Sequence, residues 1–374
     1  MNILRFYAEG FRNIEKCDIE FSPGVNLIYG MNAQGKTNVI EGIYLFARGR
    51  SFRTSDEREL LRLGSEGFRV GIDYSSNDGR GNLEYAVFGK EKQRKKNGYK
   101  INKVQEMMES FKAVLFSPDD LDIVKGGPEE RRGMLNVGAS AVYGSYIPDY
   151  QRYKAALENR NSLLKLMQKG LYVDRGELLS WSAVLAEYAA NILVKRLEYI
   201  NMLEKHTGRI DSELSGGRDR LSLTYKSEAL GDKDPTSLLS DKERARVIYE
   251  ECFTRHCERE IAAGVTLFGP HRDDLVIGVN DFGARGYASQ GQQRSVVLSL
   301  KLAEGEVIRE ITGEYPVFLF DDVLSELDGI RRGYVIEGMR DRQIIITSCE
   351  SDELQSHAET LIHAKGGSYV SSRR

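Results

Sequence analysis

The run Gly30-Met31-Asn32-Ala33-Gln34-Gly35-Lys36-Thr37 follows G-x-x-x-x-G-K-[ST] without a mismatch. A loop of this kind turns backbone N–H groups toward an anion, and the helix start behind it adds further donors. Lys36 can reach β and γ phosphates, and the Thr37 hydroxyl can ligate Mg²⁺. The expected chemistry is binding of a nucleoside triphosphate, with every residue from Gly30 to Thr37 in the cradle. A second group is Phe318-Leu319-Phe320-Asp321-Asp322, an apolar run ending in two acids. Triphosphate hydrolysis calls for a carboxylate near the metal and a group that orients the attacking water. Adjacent side chains at a strand end point apart. Asp321 is therefore expected to hold the metal and Asp322 to act as general base; without the loop, the pair would read as an acidic turn.

A third group, Tyr287-Ala288-Ser289-Gln290-Gly291-Gln292-Gln293-Arg294, opens a predicted helix. Ser289 and the N–H groups beside it would make a second anion-binding helix terminus. One nucleotide in a monomer does not need two cradles. The economical arrangement is a head-to-tail dimer, with Ser289 of one subunit meeting the γ-phosphate held by Lys36 of the other. Asp322, Lys36 and Ser289 are thus the expected catalytic residues.

These groups need elements to hold them. Val25, Leu27, Ile28 and Tyr29 form a short β-rich run before the loop, and Val39, Ile40, Ile43, Tyr44 and Phe46 recur behind it at helical spacing. Residues 1 to about 120 are rich in β patterns, at 4–8, 25–29, 68–74, 83–88 and 113–116, with a hairpin turn at Asn97-Gly98. Ser117-Pro118-Asp119-Asp120 can cap a helix start. Residues 145–210 turn helical. Trp181, Leu185, Tyr188, Ile192, Tyr199 and Leu203 repeat at heptad spacing, and 170–176 is a turn between two antiparallel helices too short for a long arm. Residues 210–240 are polar and read as an irregular connection or small hairpin, followed by a helix over 241–263. Beyond Val265, a helix at 295–311 and buried strands at 316–320 and 343–347 restore the β/α pattern. The expected fold is α/β, a mixed-sheet core plus an antiparallel β part, with an inserted α-helical lobe. The boundaries are 1–140 with 264–374 for the discontinuous nucleotide domain, and 141–263 for the insertion.

Composition narrows the class. The 374 residues carry a net charge of −3, so any nucleic-acid binding must come from a local basic surface. Lys90, Lys92, Arg94, Lys95, Lys96, Lys100 and Lys103 around the Asn97-Gly98 turn are such a candidate, or else a solvated hairpin tip. No base-reading motif is visible, so recognition would be of backbone and shape. Arg131 and Arg132 could meet phosphate or form salt bridges. His271-Arg272-Asp273-Asp274 reads as a fold-stabilising network, and Trp181 with the neighbouring tyrosines as core. No run approaches the ~18 apolar residues of a membrane span, and the start has no signal-peptide layout. Cys17, Cys252, Cys257 and Cys349 lack C-x-x-C spacing. Cys252, His256 and Cys257 supply too few ligands for a metal site. A cytoplasmic protein without a membrane partner is expected.

The phosphate loop, the Ser289-Gln290-Gly291-Gln292-Gln293 signature, the Asp321-Asp322 pair and Ser325-Glu326-Leu327-Asp328 together resemble ABC-type ATPase heads. Gly10-Phe11-Arg12-Asn13, Pro128-Glu129-Glu130-Arg131-Arg132 and Gly269-Pro270-His271-Arg272-Asp273-Asp274 make the whole chain similar to the RecF family of SMC-like DNA-repair ATPases. The resemblance implies a cytoplasmic ATPase that dimerises on ATP and binds gapped DNA at single-strand/double-strand junctions. It further implies that RecO and RecR act with it to load RecA, with links to replication and the SOS response. By the same resemblance, Arg12 and Asn13 would touch the nucleotide, Ser289, Gly291 and Gln292 would complete it, and Ser325 to Asp328 would line the dimer interface. Thr347 stands at the usual switch-histidine position, where it could bond the γ-phosphate without an imidazole's charge. Asp322 replaces the usual glutamate and reaches less far, which implies slow, DNA-stimulated hydrolysis serving as a switch. Competing readings are the ATPase subunit of an ABC-type transporter, a small-molecule P-loop kinase and an SMC-like tether. The long separation of loop and acid pair, the signature, and the short helical insertion argue against them in turn.

Overall fold

A computed structural model describes residues 1–339, 341–349 and 352–373. The chain divides into two compact units. The first holds Met1–Leu121, Glu213–Gly217 and Arg294–Arg374, and the second holds Asp122–Ser212 and Arg218–Gln293. The expected limits at 140/141 and 263/264 do not coincide with this division.

The first segment runs β1 (Asn2–Phe11), β2 (Ile14–Glu20), β3 (Val25–Tyr29), α1 (Lys36–Arg48), β4 (Gly67–Ser76), β5 (Gly79–Phe88), β6 (Glu91–Lys96), β7 (Tyr99–Ile101), α2 (Val104–Ser110) and β8 (Ala113–Phe116). The middle of the chain gives α3 (Asp122–Lys125), α4 (Pro128–Val142), α5 (Tyr146–Gln168), α6 (Arg175–Ser215), β9 (Leu221–Lys226), α7 (Lys242–Arg255), α8 (Cys257–Ala263), β10 (Asp274–Val279), β11 (Phe282–Gly283) and α9 (Ala284–Tyr287). The remainder is α10 (Gln290–Thr312), β12 (Val317–Asp321), α11 (Gly329–Gly338), β13 (Ile344–Ser348), α12 (Asp352–Gln355), β14 (Thr360–Lys365) and β15 (Ser368–Arg373).

Two six-stranded sheets build the first unit. One is antiparallel throughout, in the order β2-β1-β4-β5-β6-β7. The other is mixed, in the order β15-β14-β3-β13-β12-β8, with β15 antiparallel and the rest parallel. β12 and β13 are buried along their whole length and open with the apolar runs 317–320 and 344–346, because parallel strands are covered on both faces. Helix α1 touches strands of both sheets, and its Val39, Ile40, Ile43 and Phe46 are fully buried in their shared core. Register fixes the functional end of the mixed sheet. Thr347 pairs with Ile28 on one side and Asp321 on the other, so the carboxyl ends of β3, β13 and β12 lie level. Open parallel sheets bind ligands at that end.

The second unit packs helices with the antiparallel sheet β11-β10-β9. The polar stretch 210–240 therefore contains a strand. Leu221, Leu223 and Tyr225 alternate inward and pair with β10, while Asn280 and Asp281 make a two-residue turn with φ of 53° and 67°. The helix expected over 241–263 breaks at His256, whose ring stacks on Phe268 at 4.5 Å. Helix α6 runs 41 residues, beyond the heptad seam.

Polar side chains fasten this unit from within. Arg160 and Glu260, both fully buried, meet at 2.6 Å. Arg196, also fully buried, donates to the Pro270 carbonyl and to Tyr146, Tyr225 and Asn136. Tyr225 in turn donates to Asp273 at 2.7 Å. Arg131 binds Asp274 through two nitrogens at 2.8 and 3.0 Å, and Arg132 donates to the Asp273 carbonyl. Both arginines and the 271–274 run thus serve the fold. Burial pushes the Asp273 carboxyl up to about 6 and the His271 imidazole down to about 4.

The two shifts act oppositely on stability. His271 titrates lower folded than its ordinary 6.5, so the unfolded chain takes the proton first and stability falls as pH drops from about 6.5 to 4. Asp273 titrates above its ordinary 3.8, so the folded chain takes the proton first and stability rises from about pH 6 to 4. His271→Gln removes only the loss. Its unfolding free energy should fall less between pH 7 and pH 5 than that of the unaltered chain, by an amount on the order of 1–2 kcal/mol. An equal fall in both proteins would mean that His271 does not stay neutral in the fold.

Candidate nucleotide-binding site

The loop between β3 and α1 is shaped by its glycines. Gly35 precedes the helix at φ 101°, and a Cβ there would stand 2.6 Å from both Asn13 Oδ1 and the Tyr369 hydroxyl. Only glycine accepts that conformation and that crowding. No side chain caps α1, which leaves its first N–H groups for an anion. The β14–β15 turn braces the loop: Gly366 N donates to Gln34 Oε1, Gly367 N to the Gln34 carbonyl, and the Tyr369 hydroxyl to the Gly35 carbonyl. Met31 is 79% exposed at its tip, with Asn32 and Ala33 also open.

Lys36 is almost fully buried, and its ammonium donates to the carbonyls of Gly30 at 2.8 Å and Met31 at 3.1 Å. Cys349 Sγ lies 3.4 Å from the same Nζ, donates to Asn32 Oδ1, and stands 3.7 Å from Asp322 Oδ1. This thiol, two residues beyond Thr347, belongs to the site, and nothing in the chain's motifs marks it.

The Thr37 hydroxyl donates to Asp321 Oδ1 at 2.8 Å across 284 residues of chain. Thr347 donates to the same oxygen at 2.8 Å and accepts the Asp322 N–H at 3.0 Å. Its side chain is 1% exposed. Thr347 thus holds the acid pair. Burial raises the Asp321 carboxyl above its ordinary range, and the hydroxyls of Thr347 and Thr37 pull it partly back. A hydroxyl and a buried carboxylate converging on one point make a hard-oxygen donor set that fits Mg²⁺. Asp322 follows at φ 55°, a left-handed conformation costing about 1–3 kcal/mol in a non-glycine residue. That twist ends the strand and turns the second acid toward Cys349.

Arg12 and Asn13 sit in the β1–β2 turn. Asn13 accepts from Asn38 and lies against Gly35, beside the cradle. Arg12 is committed elsewhere: it binds the fully buried Glu41 of α1 through two nitrogens, at 2.9 and 2.6 Å, and the Glu59 carbonyl at 2.8 Å. Arg53 completes the set, reaching Asn38 at 3.0 Å and Glu41 at 3.4 Å, close enough to draw down the Asp321 carboxyl. Arg53 carries no motif and escaped the sequence.

The signature is a helix cap in the second unit. Ser289 Oγ accepts from Gln292 N at 3.2 Å, while Gln292 Oε1 accepts from Ser289 N at 2.9 Å. This reciprocal pair is a capping box at the start of α10. Ser289 and Gly291 are exposed, and a Cβ on Gly291 would meet no atom within 4 Å. Beyond the acid pair, Ser325 donates to the Asp322 carbonyl, Glu326 pairs with Arg294, and Asp328 caps α11.

The basic hairpin is partly neutralised. Lys92 pairs with Glu57 at 2.6 Å, Lys95 with Glu84 at 3.2 Å, and Arg94 lies over Tyr85. Lys90, Lys96, Lys100 and Lys103 make no ion pair among the described residues, and Tyr99 beside them is 80% exposed.

A phosphate loop facing a strand-end acid pair, on a mixed sheet beside an antiparallel one, defines a P-loop ATPase head of the ABC type. The family described as RecF/RecN/SMC N terminal domain matches residues 2–367. The DNA replication and repair protein RecF of Staphylococcus carnosus is 37% identical over 368 residues, covering 98% of this chain and 97% of the relative. Two solved structures of the recombination mediator protein in the RecFOR pathway superpose over nearly the full length. RecF-ATPrS gives a TM-score of 0.90 at 34% identity, covering 99% of this chain and 98% of the other. RecF-ATP gives 0.89 at 33% identity, covering 100% and 97%. The chain belongs to the RecF family.

Arg12 offers a test of what its turn is for. Among the described residues, removing it leaves the buried Glu41 carboxylate with only Arg53 and Ser51 as polar partners. Arg12→Ala should lower unfolding stability by about 2–3 kcal/mol in urea, because a buried charge loses its best partner. Full stability combined with lost nucleotide affinity would instead make Arg12 a direct ligand.

Proposed function

We propose that this chain is an ATP-dependent DNA clamp of recombinational repair. ATP is held by Gly30 to Thr37, with Asn13 beside them, and Mg²⁺ by Thr37 and Asp321. When bound, the metal would offset the charge of the phosphate oxygens. Lys36 leaves the Gly30 and Met31 carbonyls to meet the phosphates. Asp322 orients the attacking water and, as the shorter acid, turns over slowly. Ser289, Gly291 and Gln292 complete the nucleotide held by a second copy, so ATP favours a head-to-tail homodimer by binding it better than the monomer.

The observation that carries this reading is the exposed Ser289 cap with Gly291 behind it. Glycine costs about 1 kcal/mol against alanine within a helix. Among the described residues nothing crowds Gly291, which suits the close approach of a phosphate from outside. Gapped DNA at single-strand/double-strand junctions is the proposed substrate surface, bound through phosphates by lysines such as Lys96 and Lys100. The relatives' place in the RecFOR pathway supports RecO and RecR as partners in loading RecA. A cytoplasmic setting accords with that role; among the described residues no helix is long and apolar enough to cross a membrane.

Binding to a fluorescent gapped duplex should tighten with Mg-ATP and weaken as salt rises. Lys36→Met should abolish nucleotide binding. Ser289→Arg should keep nucleotide binding and lose ATP-driven dimerisation in light scattering. Asp322→Asn should prolong the dimer by slowing hydrolysis. Ser289→Arg that still dimerises with ATP would sink the two-copy site, and DNA binding indifferent to ATP would sink the clamp.

A further inference from the structure

The signature's own geometry depends on a residue 73 positions earlier. Gln292 serves the capping box only if its carboxamide points one way: Oε1 must face the Ser289 N–H, which places Nε2 outward. Asp219 Oδ1 accepts that Nε2 at 2.9 Å. A carboxylate can only accept, so it selects the –NH₂ end and excludes the flipped amide. Asp219 is itself held. Its Oδ1 also accepts from Asn280 Nδ2 at 2.8 Å, and Asn280 is stitched to Arg220 in both directions, N–H to carbonyl at 3.0 Å and N–H to Oδ1 at 2.9 Å. Asn280 occupies the left-handed first position of the β10–β11 turn, which asparagine tolerates. The turn, the loop entering β9 and the start of α10 thus converge on one carboxylate oxygen.

We infer that Asp219 is a positioning residue of the ATPase site: it sets the Gln292 amide, which sets the Ser289 cap, which presents the signature to the nucleotide of a second copy. The inference rests on the two-copy reading above. Asp219 acts on the signature through Gln292. With the amide fixed, Ser289 N–H is already satisfied and its hydroxyl sits at the helix mouth. With the amide free to flip, an –NH₂ would face the Ser289 N–H, two donors would oppose, and the first turn of α10 would fray.

The test is a charge-reciprocal cycle on the full chain. In Asp219→Asn a neutral amide replaces the carboxylate and the charge assistance to Gln292 Nε2 is lost; ATP-driven dimerisation should weaken about tenfold. Fluorescent ATP should bind the monomer as before, so the loss falls on kcat and dimerisation and not on nucleotide affinity. Gln292→Glu keeps the capping box but sets a carboxylate against Asp219, and should lose at least as much. Asp219→Asn combined with Gln292→Glu lets the new amide turn its –NH₂ to the new carboxylate at the cost of the Asn280 Nδ2 bond, with the second oxygen of that carboxylate still on Ser289 N–H. The double variant should dimerise better than Gln292→Glu alone. A residue that merely held the fold together would leave the double variant no better than the worse single. Independently of dimerisation, hydrogen exchange over residues 288–293 should quicken in Asp219→Asn and slow again in the double variant. Unchanged exchange, or additive losses in the cycle, overturns the role of Asp219. Slow exchange restored as expected, while Ser289→Arg still dimerises with ATP, overturns the two-copy reading and leaves the positioning of Gln292 standing.

Discussion

The hydrogen bond from Thr37 to Asp321 is the constraint on which the rest of the first unit depends. A carboxylate that is 5% exposed loses hydration worth several kcal/mol, and here two hydroxyls on one oxygen replace it. Those hydroxyls come from opposite ends of the domain's sequence, so the contact forms only if β3, β13 and β12 pair in one register. Slipping β13 by one residue would turn Thr347 to the opposite face of the sheet and leave Asp321 with a single partner. The same oxygen is the contact proposed above for the metal.

The second buried acid, Glu41, shows how the loop is oriented. It lies on α1 among apolar neighbours, within the layer between the two sheets. Arg12 arrives from the antiparallel sheet, while Arg53 and Ser51 arrive from the segment after α1. Arginine suits this work because its planar fork binds a carboxylate through two nitrogens at fixed geometry. The knot anchors the β1–β2 turn against α1. That in turn sets Asn13 at Gly35 and leaves the Arg53 side chain 43% exposed near the acid pair. Dense apolar packing could hold α1 in place but would not fix its rotation as tightly.

What could be read from the residues was what chemistry makes local. Strand, loop and helix around Lys36 occupy consecutive positions, and the acids end their own strand. Partnerships set by pairing were not legible. The bond from Thr347 to Asp321 could not be foreseen because its strand was recognised without its register, and register is what brings the two together. Strand β9 hid among polar residues because half of a one-sided strand faces outward by necessity. The β14–β15 hairpin, which braces the phosphate loop through Gly366 and Tyr369, passed unnoticed although Leu361, Ile362 and Ala364 are buried. Arg53, Glu41 and Cys349 are single residues without a pattern, and only their three-dimensional neighbours give them a role.

Much of this machinery is satisfied within its own chain, and that bears on how it would switch. Lys36 is bonded to loop carbonyls, and Ser289 to the Gln292 N–H. Each is a moderate bond that a phosphate can replace with a stronger, charge-assisted one. An ammonium or a cap left unpaired would gain more from the ligand, yet it would also cost the resting fold about 1–3 kcal/mol for each unsatisfied group. Exchange between internal and external partners keeps the fold stable on its own and the gain on binding modest. In the two-copy arrangement proposed above, a modest gain shared between copies could be reversed by hydrolysis, whereas a large one would lock the pair. The left-handed Asp322 follows the same logic. Its strain persists because Thr347 holds its N–H and Ser325 its carbonyl, and these two bonds aim an acid that neither of them touches through its side chain.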